Sequence, residues 1–323
     1  MNEHILLAYN FTHGHASALD HDAVNSHIDT SSDFIWLHMD ATHKDTRNWL
    51  EAKATNLDHL IIEALLADET RPHMSQINNG VLLILRGPNL NQDSDPEDMV
   101  SIRLWIEEHR IISLRRRNLK AISDIQQKII NGKTIHDVAE FICQLTAGLS
   151  QRMETALSNL NDLTDSIEEK VLENANDSLR NNIIDVRKQA ILFRRYMVPQ
   201  RDAIGQLCMS DVAWLSHTNR RQLQESYNHV TRYVEDLDAI RERSQIVKDE
   251  LSNMLTSRLN NNLYMLSVIS AIFLPLGFLT GLLGVNVGGI PGSDNVDAFW
   301  LFCGLLVIIV MIQMISFKKL RWF

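Results

Sequence analysis

The hydrophobic positions of this chain change their period along its length. In the first third, short apolar runs are separated by polar loops. ILLAY (5–9), FIWLHM (34–39), GVLLILR (80–86), VSIRLWI (100–106) and RIISLR (110–115) have the length and the β-branched or aromatic content of strands. HKDTRNWLEAKA and DHLIIEALLAD between them read as helices, and GPNLNQDSDPED (87–98) as a polar, Pro- and Asp-rich loop joining two strands. Residues 1–133 are therefore predicted to form a mixed α+β cytosolic domain, with a strand order that the pattern does not fix.

After Gly132 the period becomes helical. Val138, Ile142, Leu145, Leu149, Met153, Ala156, Leu160, Leu163 and Ile167 recur in steps of three and four, which keeps one seam facing a partner. Pro199 is expected to interrupt the next helix. A further seam runs through Leu223, Tyr227, Val230, Val234, Leu237, Ile240, Val247, Leu251 and Met254, and no proline or glycine stands between Ser216 and Pro275. The spacing predicts one helix from about residue 217 into the apolar C-terminal part, roughly 100 Å long at 1.5 Å per residue. Residues 134–262 thus read as a long-helix stalk. Such a rod cannot bury its own seam, so it packs on the other long helices, on its copies in an oligomer, or on both.

The charge pattern adds a membrane. No Asp, Glu, Lys or Arg occurs in 259–293 or in 298–317. A bilayer core about 30 Å thick is crossed by roughly 20 helical residues. Residues 263–323 are therefore a predicted membrane domain, with transmembrane helices at 263–283 and 298–317, an outer loop at 284–297 and a cytosolic tail at 318–323. The start, MNEHILLAYNF, has neither the basic head nor the long apolar run of a secretory signal. Lys248 and Arg258 precede the first span, Lys318, Lys319 and Arg321 follow the second, and the loop between has no basic residue. Both termini are accordingly expected in the cytoplasm. Two spans cannot enclose a water-filled path, so a conduit would have to be built by several subunits.

Composition narrows the chemistry. A net charge of -9 speaks against nucleic acid as a partner and suits attraction of cations, or simply a solvated acidic surface. Cys143, Cys208 and Cys303 stand far apart without a CxxC pair, which fits a reducing compartment and argues against a disulfide framework or a thiolate zinc site. GKT at 132–134 lacks the glycine that a phosphate loop requires, because that position is Gln127. The chain is not expected to be an enzyme.

On the first predicted span, Ser267, Ser270, Leu274, Gly277, Gly281 and Gly284 form one stripe of mostly small residues. Small residues let helices pack closely, and they also leave room for a lumen; a ring of identical helices combines the two. Asn260 lies two heptads before Leu274 and Asn286 just after the span, so both can offer amide oxygens at the ends of a conduit. The glycine-rich stretch FLTGLLGVNVGGIPG (278–292) either leaves backbone carbonyls open to a cation or turns the chain back toward the second span. Asp294 and Asp297 in the outer loop either concentrate cations or solubilise the loop and cap the second helix. Neither span contains a titratable carboxylate, histidine or basic group, so a proton-coupled mechanism would have to use Asp294, Asp297 or cytosolic histidines. No histidine or cysteine falls on the stripe, so zinc selectivity is not visible in its chemistry. His13, His15 and His21 cluster after the first strand, and read either as ligands of a regulatory zinc or as a solvated loop.

The run PLGFLTG from Pro275, the triplet Gly284-Val285-Asn286, a short polar loop and a second span ending in KKLRWF resemble the CorA family of divalent metal transporters, whose signature here is Gly-Met-Asn. Gly-Val-Asn followed by VGGIPG is similar to the zinc-transporting (ZntB) branch of that family. RPH at 71–73 and VPQRDAI at 198–204 extend the resemblance over essentially the whole chain. The resemblance implies a homopentamer with a funnel-shaped cytosolic domain, the long helix and first span around the axis, and the second span as an outer ring. It places Asn286 at the entrance, meeting a hydrated ion, and Gly284, Gly281, Gly277, Leu274, Ser267 and Asn260 along the path. It implies transport of zinc, with cadmium, nickel or cobalt as further cargo, across a bacterial inner (cytoplasmic) membrane, open to proton coupling. No cofactor is implied; zinc enters as cargo, and as a regulatory ligand only on the first of the two readings of His13, His15 and His21. Val285 removes the ground for transferring a magnesium preference. Two alternatives stay open: a magnesium or cobalt transporter of the same architecture, and a two-span anchor carrying a signalling or scaffolding rod.

Overall fold

The structure is a computed structural model that describes residues 4–20, 23–24, 34–54, 57–174, 176–285, 292 and 295–319. The chain forms two compact units, Met1–Asp249 and Glu250–Phe323.

The first unit is built on a seven-stranded sheet. Its strands are β1 (Ile5–Thr12), β2 (His15–Ala18), β3 (Phe34–Asp40), β4 (His73–Ile77), β5 (Gly80–Gly87), β6 (Val100–Glu107) and β7 (Arg110–Arg115). They lie in the order β2-β1-β3-β7-β6-β5-β4, and every pair is antiparallel except β3 with β7. The five strands expected from periodicity are all present. The edge strands β2 and β4 carry polar, exposed sequences, HASA and HMSQI, and so lack an apolar run to announce them. The central strands are buried on both faces, which is why their residues read as continuous apolar runs rather than alternation.

Helices α1 (Lys44–Lys53) and α2 (His59–Leu66) cover one face, where Trp49, Leu50, Ile61, Ile62 and Leu65 share a core with Leu37, Met39, Leu82, Trp105 and Leu114. Gly80 makes room for this packing. A Cβ there would stand 2.1 Å from the Trp105 ring. On the other face Trp36 packs at 4.8 Å against Phe141 of α4 (Val138–Asn174), which follows α3 (Lys120–Ile130). Three groups meet around Ser113. Its hydroxyl donates to the Leu37 carbonyl at 3.1 Å and lies 2.9 Å from both Trp36 Nε1 and His38 Nδ1. With its one proton committed, it accepts from the indole and from a protonated Nδ1, which assigns the His38 tautomer. Burial, with Arg115 nearby and against the pull of Asp40 and the Ser113 hydrogen bond, pushes the His38 pKa down to about 3.

Helix α5 (Asp177–Met209) follows, continuing through Pro199 rather than stopping there. Its buried face, with Val186, Ala190, Phe193, Met197 and Leu207, holds it in place where local propensity alone would break it. Helix α6 (His217–Leu283) is the single 67-residue helix that the absence of breakers predicts. Within the first unit it is tied to α4 by Tyr233 Oη donating to the Ser150 carbonyl at 3.1 Å and by Arg243 pairing with Asp165 and Glu168, and to α5 by Arg194 pairing with Asp238 at 2.8 Å. The α4 seam slips from its expected register: Leu157 and Thr164 are buried in place of Ala156 and Leu163. Thr164 tolerates burial because its hydroxyl donates to the Leu160 carbonyl at 2.7 Å.

The second unit holds the C-terminal part of α6 and helix α7 (Ala298–Lys319). Both helices are long and apolar enough to cross a membrane.

Candidate functional site

The small-residue stripe lies in the second unit, on α6. Asn260, Ser267, Leu274, Gly277, Gly281 and Gly284 are all exposed in the single subunit. Their helical phase gives that exposure meaning. The shielded positions of this segment are Val268, Ala271, Ile272, Pro275, Leu276 and Leu279, spaced at one helical face. At about 100° per residue, that face and the small-residue stripe are separated by about 150°. The stripe is therefore not the surface that α6 turns toward its own second helix.

What α6 does turn toward α7 is set by a proline. Pro275 has no N–H, so the carbonyl of Ala271, four residues earlier, loses its intrahelical donor. In hydrocarbon an unpaired carbonyl is costly. Gln313 of α7 supplies the missing donor, with Nε2 3.2 Å from the Ala271 oxygen. Gln313 Oε1 is buried with no hydrogen-bond partner among the described residues. Periodicity could not have found this pair, although a lone amide in an apolar span is a recognisable signal.

Within the stripe, Ser267 donates its hydroxyl proton to the Leu263 carbonyl at 2.8 Å. Its oxygen is left as an acceptor, the polarity a cation needs. Gly277 and Gly281 have open space where a Cβ would stand, whereas at Gly284 a Cβ would come 2.7 Å from the Thr280 carbonyl oxygen. The Gly284 N–H donates to that same oxygen at 2.9 Å, closing the last turn of the helix. Asn286 and Asp294 lie outside the described residues. Asp297 is exposed, and its carbonyl accepts from the Leu301 N–H at 3.0 Å, so it opens the first turn of α7.

His13, with φ of 49°, lies in the exposed turn between β1 and β2, His15 is the exposed first residue of β2, and His21 is outside the described residues. Among the described residues, three metal-ligating side chains meet elsewhere: His4, His43 and Asp45 bring one ligand atom each within 4.8 Å of one another. The His43 ring caps α1 by accepting from the Asp45 N–H at 3.2 Å. A sequence reading weighted toward adjacent histidines misses this group, because His4 reaches it from the start of the chain. Cys143 is buried, and burial pushes its thiol up to about 12, so it is no thiolate ligand at neutral pH.

Residues 31–319 match the family described as CorA-like Mg2+ transporter protein. A protein named divalent cation transporter CmaX, from Pseudomonas aeruginosa, is 37% identical over 290 residues, covering 89% of this chain and 87% of that protein. The zinc transport protein ZntB of Yersinia enterocolitica is 32% identical over 309 residues, covering 96% and 93%. The solved structure of full-length CmaX superposes with a TM-score of 0.87 at 33% identity, covering 99% of this chain and 98% of that one. Similarity to both relatives is of the same order, so the ZntB branch is not singled out. A mixed α/β unit, a long helix that continues into an apolar segment and a second apolar helix are the architecture of the family, and the chain, a membrane protein and not an enzyme, belongs to the CorA family of divalent cation transporters.

Proposed function

We propose that this chain moves zinc, or a divalent cation of similar chemistry, across a bacterial inner membrane through a central path formed by five copies. The observation that carries the reading is the helical phase of α6: its small-residue stripe lies about 150° from the face held by Gln313. That leaves the stripe for the space between copies. Around an axis, Asn260 and Asn286 provide amide rings at the two ends, Ser267 contributes hydroxyl acceptors, Leu274 forms the narrow apolar ring, and Gly277, Gly281 and Gly284 keep the lumen wide. Asp297, with Asp294, raises the cation concentration at the mouth. Lys318 and Lys319 follow the second span, which supports a cytoplasmic C-terminus. A divalent ion entering a negative interior gains about 4.6 kcal/mol per 100 mV, so uptake requires no ATP.

Magnesium is the second reading, favoured by the match of residues 31–319 to the CorA-like Mg2+ transporter family. Proteoliposomes containing only this chain separate the two: Zn²⁺ flux exceeding Mg²⁺ flux under the same potential supports the first, and the reverse order supports the second. Repeating the measurement with a pH gradient tests proton coupling. Asn286→Ala is expected to abolish flux while the oligomer survives in gel filtration. Undiminished flux in that variant, or a monomeric particle, refutes the assigned path.

A further inference from the structure

A cavity of about 620 Å³ opens in the first unit beside β6, remote in sequence from the transmembrane stripe. Six arginines line it: Arg71, Arg86, Arg103, Arg116, Arg117 and Arg195. Three acids, Asp68, Glu69 and Asp98, stand against them. Asp68 pairs with Arg116, and Asp98 pairs with Arg117 at 2.5 Å. Even with Glu69 counted against one more arginine, about three positive charges stay unmatched in the wall.

Arg103 carries the argument. It projects from the middle of β6, between Ile84 of β5 and Leu114 of β7, and is 1% exposed. Its Nη2 donates to the Ala67 carbonyl at 2.9 Å, at the C-terminal end of α2, and Arg116 donates to the neighbouring Leu66 carbonyl at 3.0 Å. Capping that helix end gives both side chains a structural role, helped by the partial negative charge there. It uses few of their donors. A guanidinium has five N–H groups, and Nε and Nη1 of Arg103 and Nε of Arg116 are buried without hydrogen-bond partners among the described residues. Arg86 is also held by neutral acceptors, the Thr70 and Met99 carbonyls, with its guanidinium 4.2 Å over the Tyr196 ring. Burial, reinforced by Arg116 and Arg86, pushes the Arg103 pKa down to about 10, so it remains charged at neutral pH. A buried cation satisfied only by carbonyls is strongly unfavourable unless a counter-charge completes it.

We propose that this cavity binds a small, multiply charged phosphate compound, with Arg103 as its buried anchor. Every cation in the wall is arginine and none is lysine, which suits planar, two-pronged recognition of oxyanions. The volume falls within the range of small-molecule sites, and the roughly three unmatched charges suit a di- or trianion. Arg71 and Arg195 are exposed arginines of the wall, and Arg103 and Arg116 keep buried N–H groups without partners among the described residues.

The test uses the purified full-length chain and does not depend on which metal is carried. Thermal unfolding and titration calorimetry are run with inorganic phosphate, pyrophosphate and ATP, each against chloride at matched ionic strength. Pyrophosphate or ATP is expected to raise the unfolding temperature where chloride does not, with one site per subunit. Arg103→Met is expected to weaken that binding by about tenfold or more, while raising the anion-free unfolding temperature because an uncompensated buried charge is gone. Arg71→Gln and Arg195→Gln, at exposed positions, are expected to weaken binding severalfold without altering the anion-free protein. The proposal is overturned if no phosphate compound exceeds chloride, or if these two variants bind as tightly as the unmodified chain. It is equally overturned if Arg103→Met changes the oligomer and no anion binds the unmodified chain, since a second copy would then be what fills the cavity.

Discussion

The two compact units bury apolar residues in opposite ways. In Met1–Asp249 the strands β3, β5, β6 and β7 are covered on both faces, with Trp36, Leu37, Leu83 and Ile84 at 0% exposure. Among the described residues of Glu250–Phe323, the buried apolar side chains are Leu251 and Val268, while Leu274 is 73% and Trp300 74% exposed. The first unit closes a core within itself. The second keeps its apolar surface outside any core of its own, as a membrane-spanning segment does, so its sequence is more hydrophobic although its own packing is sparse. Hydrophobicity here reports the solvent an element was selected for, and burial in one subunit does not.

That contrast can be broken at the core first. Trp36→Ala removes a side chain packed against Phe141 and bonded to Ser113, and is expected to cost about 3–5 kcal/mol. Urea unfolding followed by near-ultraviolet circular dichroism checks it. Leu274→Ala, at an exposed position, should leave that transition unmoved and appear only in flux.

Acid gives the next largest effect. His38 is neutral in the folded chain with a pKa pushed down to about 3, below the ordinary histidine value of 6.5. The unfolded chain therefore binds the extra proton between those values, and stability is complete above about pH 6.5 and falls as the pH drops toward 3. Denaturation midpoints at pH 7.5, 6 and 5 should decline for the unmodified chain and decline less for His38→Gln. Equal slopes would remove His38 as the cause.

Two glycines of one stripe sharpen the comparison within the second unit. Gly284→Ala pushes a methyl onto the Thr280 carbonyl and is expected to destabilise the end of α6 by about 1–3 kcal/mol. Gly277→Ala meets open space and should leave the subunit unharmed or gain up to about 1 kcal/mol of helix stability. Thermal unfolding in micelles distinguishes them. A flux defect in Gly277→Ala without a folding defect would then locate its role between copies.

The smallest effect belongs to Gln313→Leu, which leaves the Ala271 carbonyl without its donor but also removes the unpaired Oε1. Hydrogen bonds between membrane helices contribute about 0.6 kcal/mol on average. The loss is expected to be of that order, read as a small shift in micelle unfolding. A much larger shift would mean that Pro275 makes α6 depend on its neighbour.

Much of the architecture was legible because it rests on local period and composition. Apolar runs announced the five inner strands, the lack of breakers announced α6, and two uncharged stretches announced the apolar C-terminal helices. The edge strands β2 and β4 escaped because an exposed edge needs no hydrophobic pattern, and the α4 seam slipped at Leu157 and Thr164 because a buried threonine bonded to its own helix looks polar in sequence. Pro199 misled because packing outweighed its local cost.

By itself, then, the sequence determined the period of each segment, the length of the long helix and the absence of charge in its last third, since these follow from neighbours along the chain. Tertiary structure alone decided that Gln313 answers Pro275, that His4 meets His43 and Asp45, and that arginines from 71 to 195 share one cavity. Such groupings bring together residues tens of positions apart. Their energy comes from desolvated donors and charges finding partners in space, which no local pattern encodes.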